Sequence, residues 1–128
     1  VTRSGFDSLA DVLESIDKIR AYTRGGANAF RRSSMARDAV IARLIQIGQA
    51  VKDAQDKGLD LHALAPGVPW RNIAGMRDRL AHKYWSVDTG IVWGVVETEL
   101  VKLEAAVKTL LADKRRLKRT RRPAGKKR

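Results

Sequence analysis

The chain has 128 residues and a formal charge of +12 at pH 7, which suits one domain with a core just large enough to stand alone. The absence of cysteine excludes disulfides and thiolate metal sites and points to a reducing compartment. No apolar run nears the roughly 20 residues of a membrane span, and Val1 to Ser8 lack the order of a signal peptide, so a cytoplasmic protein with no membrane partner is expected.

Four helices are predicted and no strand pattern competes with them. The first runs from about Asp7 to Tyr22, with Phe6, Leu9, Val12, Leu13, Ile16 and Ile19 on one stripe. Ser4 and Asp7 stand at capping-box spacing before it, and Gly25-Gly26 closes it. Ala27 to Ser34 reads as a connector. The second helix spans about Ser34 to Lys57 and ends at Gly58. Its apolar face takes in Met35, Ala39, Val40, Ile41, Leu44, Ile45, Ile47, Gly48 and Val51, a width that suggests packing both inside the domain and against a second subunit.

Leu59 to Pro69 is expected to be a loop, broken by Pro66-Gly67 and Pro69. A third helix starts near Trp70, using Pro69 in its first turn and carrying Ile73, Met76 and Leu80 inward. It should end near His82 to Trp85, since Ser86-Val87-Asp88 supplies the cap of a fourth helix. That helix reaches about Leu111 through Ile91, Val92, Val95, Val96, Leu100, Leu103, Val107 and Leu110. The fold class is therefore all-α, an antiparallel bundle of four to five helices.

Charge divides the chain unevenly. Ten basic residues and no acid lie between Lys114 and Arg128, whereas residues 1–113 hold sixteen basic residues against fourteen acids, a charge of only +2. Two regions follow: a folded body, 1–113, and a basic C-terminal arm, 114–128, expected to be disordered. Lys114, Arg115, Arg116, Lys118 and Arg119 of that arm are candidate RNA-binding residues, attracting phosphates without choosing a sequence.

Within the body, Arg77 to Tyr84 (Arg-Asp-Arg-Leu-Ala-His-Lys-Tyr) carries the chemistry. An imidazole can shuttle a proton near neutral pH while a guanidinium stays charged beside a crowded phosphate, the two requirements of metal-free RNA cleavage. Arg77 and His82 are five residues apart, about 140° round an ideal helix, so they do not share a face. Either the helix breaks at Ala81-His82, or two copies of the segment meet across a two-fold axis. Tight packing there would account for Gly75 and Ala81. Taken singly, each residue has an ordinary role: Arg77 as an ion-pair partner of Asp78 or Glu97, His82 as a cation at a helix end, Tyr84 and Trp85 as core or edge aromatics. His62 lies alone in the loop and reads as structural. No metal site is expected, for the two histidines are twenty residues apart and no acid cluster has ligand spacing. There is no Gly-x-Ser-x-Gly turn for a serine nucleophile.

From about Phe6 to Leu111 the chain resembles the HepT family of the HEPN superfamily. The segment from Asp38 to Ala50, with Ile47-Gly48-Gln49-Ala50, is similar to the family's second helix. Val68 to Trp85 resembles its signature through Pro69-Trp70, Gly75-Met76-Arg77 and His82-Lys83-Tyr84, and Val87-Asp88 with Ile91-Val92-Trp93 matches the start of the last core helix. The resemblance implies a dimeric helical bundle acting as the toxin of a type VII toxin–antitoxin pair, a metal-independent endoribonuclease with Arg77 and His82 as catalytic pair. It further implies an MNT-type nucleotidyltransferase antitoxin that uses ATP to AMPylate Tyr84, the protein itself needing no cofactor. Asp78 supports the motif, standing where many members have Asn. The connector, basic at Arg31 and Arg32 where members often carry acids, and the tail after Lys114 depart from the family pattern. The alternative is a non-catalytic helical module that binds nucleic acid or a partner.

Overall fold

A computed structural model describes the backbone of residues 3–83 and 86–126, with side chains as far as Lys114. Tyr84 and Trp85 lie outside the described residues. Among those described, all regular structure is helical: α1 (Gly5–Tyr22), α2 (Gly26–Arg32), α3 (Ser34–Asp56), α4 (Leu61–Leu64), α5 (Trp70–His82), α6 (Thr89–Gly94) and α7 (Leu100–Lys126), with a π-helical turn, Val95–Glu99, between the last two.

The capping box forms as the sequence predicts. Asp7 N donates to Ser4 Oγ at 3.1 Å while Ser4 N donates to Asp7 Oδ2 at 2.8 Å, satisfying two amides that the first turn of α1 leaves open. The hydrogen bond from the Ser4 backbone holds the Asp7 carboxyl below its ordinary range. At the other end of α3, Gly58 takes a φ of 97°, a left-handed conformation that a side chain would resist.

Helix α1 packs on α3 and on α7, and α3 packs on α5. Ser15 of α1 meets Arg43 of α3 while Gly5 meets Ala54, so these two run antiparallel. Arg20 pairs with Glu104 of α7, and ten or more residues away Lys114 sits 5.2 Å over the Phe6 ring, which makes α1 and α7 antiparallel as well. The shared core contains Leu9, Val12, Ile16, Ile19, Leu44, Ile47, Val51 and Val107, each at most 1% exposed. Burying an aliphatic side chain of this size contributes about 1.5–3 kcal/mol.

Several expectations need correction. The connector is largely the helix α2, ordered because Phe30 is buried and packs at a tilt against Trp93 with centroids 5.3 Å apart. The proline-broken loop contains α4, capped by Asp60 and anchored by buried Leu61. Ile91 and Met35, assigned to apolar stripes, are exposed, Ile91 because Asp88 caps α6 and turns Val92 inward instead. Ile73, Met76 and Leu80 are only partly buried, because α5 has a single principal neighbour, α3.

The predicted boundary at residue 113 is not a break in the backbone. Where composition implies a disordered arm, α7 continues to Lys126. Lysine, arginine, leucine and alanine are good helix formers, and basic residues suit a helix C-terminus. Lys114 belongs to the folded body through its contact with Phe6.

Candidate active site

Trp70 fixes where the motif helix begins. Its ring is fully buried and its Nε1 donates to the Ala65 carbonyl at 2.9 Å, joining the turn after α4 to the first residue of α5. Pro69 stands at the cap, outside the first helical turn in which it was expected. Farther along, Gly48 lets α5 lie against α3. A Cβ added there would come within 2.9 Å of both Arg77 N and Ile73 O and 3.3 Å of Arg77 Cβ. The close approach thus falls at Arg77. It comes from Gly48, not from Gly75, where a Cβ would meet only the flexible end of Arg79 at 3.0 Å.

That approach brings the Arg77 guanidinium to a polar edge of α3. Its Nη1 donates to Gln49 Oε1, and Gln49 Nε2 donates in turn to Asp53 Oδ1 at 2.7 Å. On the other side Nε and Nη2 both donate to Asp78 Oδ1, at 3.0 and 2.9 Å. Three of the five guanidinium N–H groups are therefore engaged and two remain for a ligand. The Arg77 side chain is 35% exposed and that of Asp78 is 66% exposed, so their ion pair is worth at most about 1 kcal/mol. A phosphodiester could displace Asp78 from it at little cost.

His82 is exposed in the last turn of α5, and its Nδ1 lies 2.8 Å from the Asp78 carbonyl oxygen. A carbonyl only accepts, so Nδ1 carries the hydrogen, which leaves Nε2 as the proton acceptor of the neutral ring. The helix does not break at Ala81-His82: it runs through His82 and is capped at Lys83, whose N donates to Arg79 O at 3.1 Å. Arg77 and His82 consequently stay on different faces of one helix, and no hydrogen bond joins them.

The structure thus places Arg77, Asp78 and His82 in the C-terminal half of α5 and adds Gln49 and Asp53, which sequence reasoning missed. Their i, i+4 spacing on α3 was a visible signal, but nothing in the sequence says that Arg77 lies opposite. Glu97, the other acid considered for Arg77, is exposed in the π-helical turn and makes no ion pair with it. Tyr84 lies outside the described residues, as do the side chains of Arg115, Arg116, Lys118 and Arg119. Among the described residues no group of three or more His, Asp or Glu is placed to hold a metal ion.

The family model described as Ribonuclease HepT-like matches residues 12–110. The chain belongs to the HepT-like ribonuclease family. It is 35% identical over 109 residues to a Thermococcus cleftensis protein named "Probable ribonuclease HepT", covering 84% of this chain and 96% of that one. A Methanocaldococcus jannaschii protein, whose name joins gamma-glutamylcyclotransferase to RNase, is 34% identical over 106 residues. There the match takes 82% of this chain and 46% of the relative, so the chain spans about half that protein's length. A Caldanaerobacter subterraneus protein also named for RNase is 40% identical over 73 residues, 57% of this chain and 62% of its own. No solved structure matches. The HepT-like match covers the whole of α3 and α5, and with them every described residue of the Arg77 site.

Proposed function

We propose that the protein is the toxin of a type VII toxin–antitoxin pair, an endoribonuclease that cuts RNA with Arg77 and His82 and uses no metal. The carrying observation is the hydrogen bond from His82 Nδ1 to the Asp78 carbonyl, which leaves Nε2 of an exposed residue able to take a proton, five residues along α5 from a guanidinium with two free N–H groups. In the proposed reaction an RNA 2′-hydroxyl attacks the adjacent phosphorus. Its proton passes to a His82 Nε2, the P–O5′ bond breaks, and the leaving oxygen takes a proton from an imidazolium. The products are a 2′,3′-cyclic phosphate and a 5′-hydroxyl. Arg77 holds the charge that builds on the phosphorane oxygens.

Because Arg77 and His82 occupy different faces of one unbroken helix, the active form in this reading is a homodimer whose two-fold axis brings two copies of α5 together. One histidine then serves as base and the other as acid. The basic residues from Lys114 onward add sequence-independent attraction for RNA. Silencing in this reading falls to an MNT-type nucleotidyltransferase antitoxin that transfers AMP from ATP to the Tyr84 oxygen with release of pyrophosphate, the adenylate blocking the site by bulk and charge.

The test is RNA cleavage in the presence of a chelator. The unaltered protein should cut, and His82→Ala and Arg77→Ala should each lose cleavage while remaining folded dimers by circular dichroism and light scattering. Wild-type rates from His82→Ala would remove the histidine from the mechanism. Intact mass after co-expression with an MNT-type nucleotidyltransferase should show an adenylate increment that Tyr84→Phe abolishes.

A further inference from the structure

A polar cleft of about 320 Å³ lies where the α2–α3 corner faces the segment that follows His82, with Arg37, Asp38 and Ile41 on one wall and Val87 and Thr89 on the other. Phe30 of α2 also lines it, and the next two residues, Arg31 and Arg32, are exposed in the last turn of that helix. Arg37 is tied to the same corner by the bond from its Nη1 to the Arg31 carbonyl at 2.6 Å. Arg31 donates its Nη1 to Asn28 Oδ1. Among the described residues, none of the three arginines forms an ion pair. Asp38 is the one carboxylate on the cleft.

We infer that this corner is a second RNA contact, holding backbone phosphates that flank the one at Arg77. The inference rests on the ribonuclease reading of Arg77 and His82. Helix α3 links the two places: Gln49 touches Arg77, and Arg37 stands twelve residues earlier, about 18 Å along the axis. Val87 and Thr89 come five and seven residues after His82, so the opposite wall leads away from the histidine. A strand with its reacting phosphate at α5 has several nucleotides of length in which to reach the arginines. Guanidinium forks suit phosphate oxygens, and three of them without carboxylate partners are free to exchange counterions for RNA. Residues 1–113 carry only +2 in total, so three arginines against the one carboxylate of Asp38 are a local concentration of charge. Arg31 and Arg32 would thus position substrate, with no part in proton transfer.

Binding to a 2′-O-methyl RNA oligonucleotide, which has no 2′-hydroxyl to attack, tests this apart from catalysis. Arg31→Gln/Arg32→Gln should bind roughly tenfold more weakly at 0.1 M salt. Its slope of log K against log[salt] should shrink by about 1.4, the release expected from two single-strand phosphate contacts. On unmodified RNA the loss should fall on KM, with kcat at saturation within about twofold. Lys18→Gln/Lys57→Gln, which removes the same charge from other exposed positions, should keep the wild-type slope, as should the charge-conserving Arg31→Lys/Arg32→Lys. An unchanged slope in the glutamine variant, or an equal drop in the lysine-to-glutamine control, overturns the corner as a specific contact. Cleavage of unmodified RNA by the unaltered protein, scored in parallel, decides the ribonuclease reading separately.

Discussion

Replacing Gly48 by alanine should loosen the backbone contact that sets Arg77 against α3. A helical Gly→Ala change ordinarily stabilises by about 0.8–1 kcal/mol. Here the new methyl would stand 2.9 Å from Arg77 N and 2.9 Å from Ile73 O, and both obstacles are backbone atoms of a packed helix that cannot rotate away. Overpacking of this kind costs about 1–3 kcal/mol, and two rigid contacts put the case in the upper half of that range. The net expectation is a loss of about 1–2 kcal/mol. At about 2.1 cal/mol/K of unfolding entropy per residue, a chain of this size should lose roughly 4–7 °C in Tm. Helix α5 would shift by a few tenths of an ångström, and the guanidinium would move with it, lowering kcat by up to about tenfold. Gly75→Ala is the matched control on the opposite helix. Its methyl meets only the far end of the Arg79 side chain, so that variant should gain about 0.5–1 kcal/mol. Thermal unfolding by circular dichroism reads both. If Gly48→Ala melts higher than the parent by the amount Gly75→Ala does, the close approach is absent and the argument for Arg77 placement fails.

Gln49→Ala should release Arg77 Nη1 and lower kcat with little effect on KM, while Gln49→Glu, which keeps an acceptor, restores most of the rate; equal kcat in parent and alanine variant would strike Gln49 from the site. Glu104 is held below the ordinary carboxylate range, first by its hydrogen bond from Arg20 and then by Lys108. A depressed folded value stabilises above the unfolded one. Glu104→Gln should therefore cost about 1 kcal/mol at neutral pH, and the gap from wild type should close as pH falls from the unfolded glutamate value of about 4.3 through the folded one; a gap that is constant with pH contradicts the pairing. Truncation after Lys114 should keep the Tm within a few degrees, since Phe6 retains its cation, and should reduce the salt dependence of RNA binding; an unchanged slope would assign every phosphate contact to the body.

The elements whose formation depends on local pattern were legible in the sequence. The apolar stripe of α1, the Ser4–Asp7 box, the Gly58 stop and the Asp88 cap all follow from neighbours within four residues, and each is present. The elements that were missed are held by partners distant in sequence. Helix α2 has little period of its own and is fixed by Phe30 against Trp93. Helix α4 is short and lies beneath the Trp70 anchor. The π-helical turn at Val95–Glu99 falls inside a continuous 3.6-residue pattern, and nothing in that pattern marks an extra residue.

The site divides along the same line. Arg77 and His82 could be singled out by residue type and spacing, and the 140° between them already showed that one face of one helix would not gather both. The two ways round that difficulty had different physical requirements, since a break at Ala81-His82 needs the α5 backbone to leave the helix. The bond from Lys83 N to Arg79 O and the seat of His82 Nδ1 on the Asp78 carbonyl both require a regular turn there. The same regular turn that denies His82 a view of Arg77 also sets its tautomer, because only an intact turn presents the carbonyl four residues back to the ring. Gln49 and Asp53 belong to a different register of information. Gln49 reaches Arg77, and Asp53 is tied in through Gln49, only because Gly48, the residue before Gln49, lets two backbones approach to contact distance. A glycine at that position is silent in any reading of α3 alone, and becomes informative only once α5 is laid against it.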